Sequence, residues 1–142
     1  MENYCFACGQ SNPYGLKLKI DIHPSGKSYV EFIPKREYEG YPGIMHGGIT
    51  STILDEVMVY ACKAYNEDVV TAKIEVRFLR PVPIGKKLIA NGNVVGKKGK
   101  AYITEGEIIG ENGVVLARAK VHFSPYPFLL EGHKVFVYQA IF

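Results

Sequence analysis

The amino-acid sequence predicts an α+β domain in which a curved antiparallel sheet wraps around one long central helix. Three observations predict it. A single segment has sustained helical periodicity, the period switches to two on either side of it, and short Gly-, Pro- and Asn-rich turns separate the period-two segments. A chain of 142 residues is long enough to bury a core of its own. No repeat, low-complexity tract or Pro/Gly/Ser-rich linker divides it, so residues 1–142 are read as one domain.

The elements follow in order. Residues 1–15 form a compact loop carrying Cys5 and Cys8, punctuated by Gly9, Asn12-Pro13 and Gly15. Residues 16–22 alternate apolar and polar side chains, the pattern of a half-buried strand, and residues 28–33 return as a second strand after the turn at 23–26. The helix spans 49–65. Ile49, Ile53, Leu54, Val57, Met58 and Ala61 recur at helical spacing and make one broad apolar face, with Gly47 and Gly48 at its entry. Four strands are then expected at 69–79, 87–95, 100–109 and 114–123, separated by turns at 81–85, 96–99 and 111–113. Residues 124–142 are an aromatic, apolar C-terminal extension, with 135–138 a candidate extra strand, expected to pack against the sheet or a neighbouring subunit.

Composition narrows the function classes. Hydrophobic residues make up 47% and charged residues 22%, ordinary for a globular protein, and the apolar runs are too short for a membrane span. The charged start Met1-Glu2-Asn3 has no signal-peptide pattern, and the three cysteines are an odd number, so a reducing, cytoplasmic setting is expected. A formal charge of +3 is too small to imply nucleic acid but would help attract an anionic substrate.

The stretch that carries chemistry is Gly43-Ile44-Met45-His46-Gly47-Gly48, followed by Asp55 in the helix. Backbone N–H groups in the first turn of a helix lack internal partners, and the helix dipole is positive there. Gly47 and Gly48 let a ligand approach that backbone closely, which is what a thioester carbonyl needs as negative charge develops on its oxygen. Asp55, at the border of the apolar face and near Cys62, is placed for partial desolvation, where a carboxylate attacks a thioester or activates a water. Gly47 and Asp55 are eight positions apart, about 12 Å along one helix at ~1.5 Å per residue. If both act on one thioester, they must come from different subunits, across a two-fold axis with antiparallel helices. The sequence thus ties function to assembly.

These residues also carry a resemblance. Residues 38–48, with Leu54-Asp55-Glu56 after them, resemble the hotdog-fold acyl-CoA thioesterases of the phenylacetate-degradation (PaaI-like) group. The opening Cys5-Phe6-x-Cys8-Gly9 with Asn12-Pro13-x-Gly15-Leu16 is similar to one branch of that family, and Arg77-Phe78-Leu79-Arg80-Pro81 and Ile84-Gly85 also fit; the similarity spans roughly residues 5–123. The resemblance implies hydrolysis of an acyl-CoA to free acid and coenzyme A by a homodimer or homotetramer, without metal or cofactor. It implies that the Gly47 N–H polarises the thioester carbonyl and that Asp55 is nucleophile or general base. His46 would support the turn and the substrate, and Thr71, on the strand after the helix, would orient the attacking water. The chain departs from the family where many members have an Asn or Gln before the His-Gly-Gly motif, having Glu39-Gly40 instead.

Cys5-x-x-Cys8-Gly9 is half of a zinc knuckle with no second pair in the sequence, so it reads as a structural loop and no metal is expected. Lys97, Lys98 and Lys100 cluster in a turn, with Arg80, Lys86 and Lys87 in nearby connections; this is either a solvated edge or, with Gly48, a binding site for the substrate and its phosphates. Two further readings stay open: a hotdog hydratase or dehydratase, for which His46 is the only base near the motif, and a non-catalytic acyl-CoA-binding module.

Overall fold

The structure is a computed structural model that describes residues 2–125. Six strands, β1 (Asp21–His23), β2 (Lys27–Phe32), β3 (Val69–Phe78), β4 (Leu88–Lys98), β5 (Ala101–Ile109) and β6 (Val115–Pro125), form one antiparallel sheet in the order β1-β2-β4-β5-β6-β3. The helix α1 (Gly47–Lys63) lies against one face of this sheet, packing most closely on β4. The apolar stripe is the reason. Ile53, Leu54, Val57, Met58, Ala61 and Cys62 are all fully buried, each large member contributing roughly 1.5–3 kcal/mol. This is the hotdog arrangement, with the predicted order of two strands, helix and four strands.

A glycine pair sets how closely helix and sheet approach. Gly92 on β4 lies opposite Gly106 on β5. A Cβ at Gly92 would sit 2.8 Å from the Val57 carbonyl oxygen, and one at Gly106 would sit 3.1 Å from Met58 Cγ. Beside them, the buried Ser28 hydroxyl on β2 donates to the same Val57 carbonyl. The helix backbone therefore rests almost directly on the sheet.

Three expectations are corrected. Residues 16–20 are not strand, although their burial alternates: Leu18 is buried while Lys17 sits at φ 53 in the left-handed region. Their hydrogen bonds go to the N-terminal loop instead, Leu16 N–H to the Phe6 carbonyl (2.8 Å) and Leu18 N–H to that of Ala7 (3.0 Å). The turn expected at 96–99 is strand: β4 runs on to Lys98 through an irregularity between Val94 and Gly96, and the chain reverses at Gly99, φ 62. Ser124 and Pro125 belong to β6, paired with Val70 and Val69, rather than to the extension. The candidate strand at 135–138 lies outside the described residues.

Candidate active site

His46 is the N-cap of α1. Its Nδ1 accepts the Gly48 N–H at 2.9 Å, and its carbonyl accepts from Ile49 and Thr50, both at 3.0 Å. With Nδ1 accepting, the neutral ring carries its hydrogen on Nε2. Of the first-turn amides this leaves the Gly47 N–H without an acceptor among the described residues, and Gly47 is exposed. The cap thus consumes one amide of the Gly-Gly pair and presents the other. Gly40 packs on the cap, where a Cβ would come within 3.3 Å of His46 Cα. Glu39, shortly before the His-Gly-Gly motif, binds within its own loop: its carboxylate accepts the Gly43 N–H and lies 3.6 Å from Arg36 Nε.

Asp55 stands two turns into α1 on its partly buried flank. Its Oδ1 accepts a hydrogen bond from Thr71 Oγ1 at 2.7 Å. Burial raises its carboxyl above the usual carboxylate range, the Thr71 bond opposes that shift, and the negative charge of neighbouring Glu56 adds to it. Such a group is poorly solvated yet held in place, the condition in which a carboxylate is both basic and oriented. Cys62 is no competing nucleophile: it is buried, and desolvation pushes its thiol up to about 12.

The two halves of the site lie at opposite ends of β3. The Phe78 ring reaches Gly47, where a Cβ would be 3.5 Å away, while Asp55 is tied to Thr71. From Thr71 to Phe78 is seven residues, about 23 Å of strand at ~3.3 Å per residue. One chain therefore does not bring the Gly47 amide and the Asp55 carboxylate together, as the helical spacing required. β3 is also an edge of the sheet, and no strand pairs its outer side among the described residues. Ile74 and Phe78, on its helix-facing side, are 40% and 57% exposed.

The cations divide likewise. Arg80 follows β3 and bonds through its N–H to the Leu116 carbonyl (3.0 Å), level with the start of β4. Lys97 and Lys98 are at the far end of β4, with Lys97 Nζ 4.5 Å from the Tyr102 ring centroid. Within one chain these are opposite ends of the sheet, not neighbouring connections, because β4 crosses its whole length. Sequence reasoning also missed the contact between the N-terminal loop and α1, where Cys5 Sγ donates to Glu56 Oε2 at 2.8 Å. The partners are 51 positions apart, and nothing local in the sequence marks them.

The fold is that of a hotdog protein, and its candidate site combines a helix-tip amide with a partly buried helical carboxylate. The chain matches the profile of the Thioesterase superfamily over residues 42–117, more than half its length, and it belongs to that superfamily. It is 29% identical over 106 residues to SSO2140 of Saccharolobus solfataricus, named as a candidate esterase, with 73% of this chain and 75% of that one covered. Among solved structures it is similar to the thioesterase superfamily protein RHA08564 (TM-score 0.78, 23% identity, 86% of this chain), of whose length it spans only 60%. It is similar to a hypothetical thioesterase of Streptococcus pneumoniae TIGR4 solved with coenzyme A (TM-score 0.72, 18% identity, 77% and 88% covered). That protein was also solved with an aspartate, and separately a threonine sixteen positions later, replaced by alanine. The Escherichia coli PaaI protein from the phenylacetic acid degradation operon has the same fold (TM-score 0.68, 22% identity, 75% and 78% covered). No helix among the described residues is long and apolar enough to cross a membrane.

Proposed function

We propose that this chain hydrolyses an acyl-CoA thioester to a free acid and coenzyme A at a site shared by two copies. The observation that carries the reading is the placement of Gly47 and Asp55 at opposite ends of an open edge strand. Antiparallel pairing of two β3 edges about a two-fold axis lays the Phe78 end of one on the Thr71 end of the other. The Gly47 amide of one protomer then faces Asp55 of its partner, and the exposed Ile74 and Phe78 are covered in the same step. The same pairing brings the Arg80 end of one protomer level with Lys97 and Lys98 of the other, where they suit the phosphates of coenzyme A.

In this arrangement the Gly47 N–H donates to the thioester carbonyl oxygen and stabilises the charge that develops there. Asp55, held by Thr71, either attacks the carbonyl carbon or takes a proton from a water that does. The carbon–sulfur bond breaks, the thiolate leaves and is protonated, and the acyl group departs as the acid with the water oxygen added. His46 fixes the turn that aims the amide. Its Nδ1 is committed to Gly48, which suits capping better than the proton transfer at carbon of a hydratase. Two likenesses support the reading. The S. pneumoniae neighbour was solved with coenzyme A and a Streptococcus mutans one with acetyl CoA. The aspartate–threonine spacing varied in the former equals that of Asp55 and Thr71.

The test is a thiol-release screen over short, long and aryl acyl-CoAs, with Asp55→Asn as control. Turnover by the wild type that the variant lacks is expected. Equal release by both proteins on every substrate would remove Asp55, and with it the proposal.

A further inference from the structure

The N-terminal loop carries a second cluster of reactive groups that the proposed hydrolysis does not use. Its geometry begins with Gly9. The chain reverses there, with the Gly9 N–H on the Cys5 carbonyl at 2.8 Å, so tightly that a Cβ would lie 2.4 Å from Cys5 N and 2.6 Å from the Asn3 and Cys5 carbonyl oxygens. The reversal turns both sulfurs of the Cys-x-x-Cys pair to one side. The loop is then laid on α1 with Ala7 and Cys8 buried, and Glu56 projects from the helix to meet it. Cys5 Sγ, Cys8 Sγ and a Glu56 carboxylate oxygen all lie within 4.8 Å of one another. A tetrahedral zinc ion with Zn–S of about 2.3 Å and Zn–O of about 2.1 Å requires ligand separations of roughly 3.5–3.8 Å, so the three atoms need move little to share one.

We propose that Cys5, Cys8 and Glu56 bind one divalent cation of the zinc class, with water in the fourth position, and so pin the N-terminal loop to α1. The missing second cysteine pair had argued against a metal; the third ligand comes instead from the helix. One feature beyond proximity favours a cation over a simple loop contact: the Cys8 sulfur is also approached from outside the cluster, with Asn3 Nδ2 3.6 Å from it. Such outer contacts orient ligating sulfurs. On binding, each cysteine gives up its proton to solvent, the Cys5 proton leaving its bond to Glu56, and the freed carboxylate and two thiolates take the cation. No redox step is involved. The donor set, two sulfurs and one carboxylate, selects zinc-like ions over magnesium or calcium.

The experiment uses the full chain, reduced and chelator-stripped, titrated with Zn²⁺ and with Co²⁺ in the absence of any acyl substrate. The expected result is one ion per chain, a thiolate-to-cobalt charge-transfer band, and a melting temperature raised by zinc. Cys5→Ser, at the surface, should weaken binding by more than the ~10–100-fold that loss of an outer-shell partner costs, with the circular dichroism spectrum unchanged. Glu56→Gln should weaken binding by at least ~10-fold, whereas Cys62→Ala should bind as the wild type does. Absence of stoichiometric binding by the reduced chain overturns the proposal, as does unaltered affinity in Cys5→Ser. Because the readout is metal binding, neither result bears on whether the chain hydrolyses thioesters.

Discussion

Thr71→Val removes one oxygen from the site and little else, since valine keeps the branched shape on β3. In the wild type that oxygen donates to Asp55 Oδ1 at 2.7 Å. A hydrogen bond to a charged partner contributes about 1.5–3 kcal/mol. If Asp55 acts as an ionised carboxylate in the transition state, losing the bond should lower kcat/KM by roughly 10- to 150-fold. The pH dependence gives a second readout with a definite sign. Burial raises the Asp55 carboxyl, and Thr71 is the group that holds it down. Without Thr71 the carboxyl keeps its proton to higher pH, so the acidic limb of the rate profile moves upward and the loss is largest on the acid side. Thr71→Ser, which restores the oxygen, should return both quantities most of the way. The assay is thiol release from an acyl-CoA across a pH series. A Thr71→Val enzyme with wild-type kcat/KM and an unmoved acidic limb would refute the role given to this pair.

Asp55→Asn should cut turnover by about 10²–10⁴-fold, the usual contribution of a positioned acid or base, measured by the same assay. It should also raise the melting temperature near neutral pH. A carboxyl whose folded-state value is raised penalises folding when ionised, and the penalty vanishes below its unfolded value near 3.9. The thermal advantage of the variant should therefore shrink on acidification; one that stays constant with pH would contradict the sign. Gly92→Ala places a methyl 2.8 Å from both the Val57 carbonyl oxygen and Ser28 Oγ, and should cost about 1–3 kcal/mol, visible as a lower melting temperature. Ile74→Lys puts a charge on the open β3 edge and should yield monomers by sedimentation equilibrium, with turnover lost in parallel. Monomers that still turn over would break the link between assembly and activity.

The helix and five of the six strands could be read from periodicity because burial imposes it. α1 must bury a stripe, and each long strand must bury alternate residues. Boundaries moved where a side chain or bulge replaced the expected signal. The helix starts at Gly47 because His46, not a Ser or Asp, supplies the cap. β4 outruns its expected end because an irregularity near Val95 absorbs the change of phase. At residues 16–20 the alternation reports burial beneath the N-terminal loop rather than sheet pairing, and periodicity alone does not distinguish the two. In the site, the Gly47 tip and Asp55 were visible through residue type and helical spacing, and Thr71 only through the family resemblance. The Cys5–Glu56 contact was invisible, because it depends on where a loop folds back across 51 positions.

The geometry of α1 bears on why such a chain should need a second copy at all. The amide and the carboxylate belong to one helix, separated by about 12 Å at ~1.5 Å per residue. Reacting atoms must approach to about 3–3.5 Å, and no rotamer of an aspartate spans the difference. A single chain can offer either the tip or the acid to a given thioester, never both. The remedy is already present in the edge strand, because α1 runs antiparallel to β3 and so carries the tip to one end of that edge and the acid to the other. Any antiparallel pairing centred on the strand must then oppose unlike ends. In the proposed assembly, the exposed apolar side chains that would drive copies together and the register that would complete two equivalent sites are thus properties of the same ten residues, Val69–Phe78.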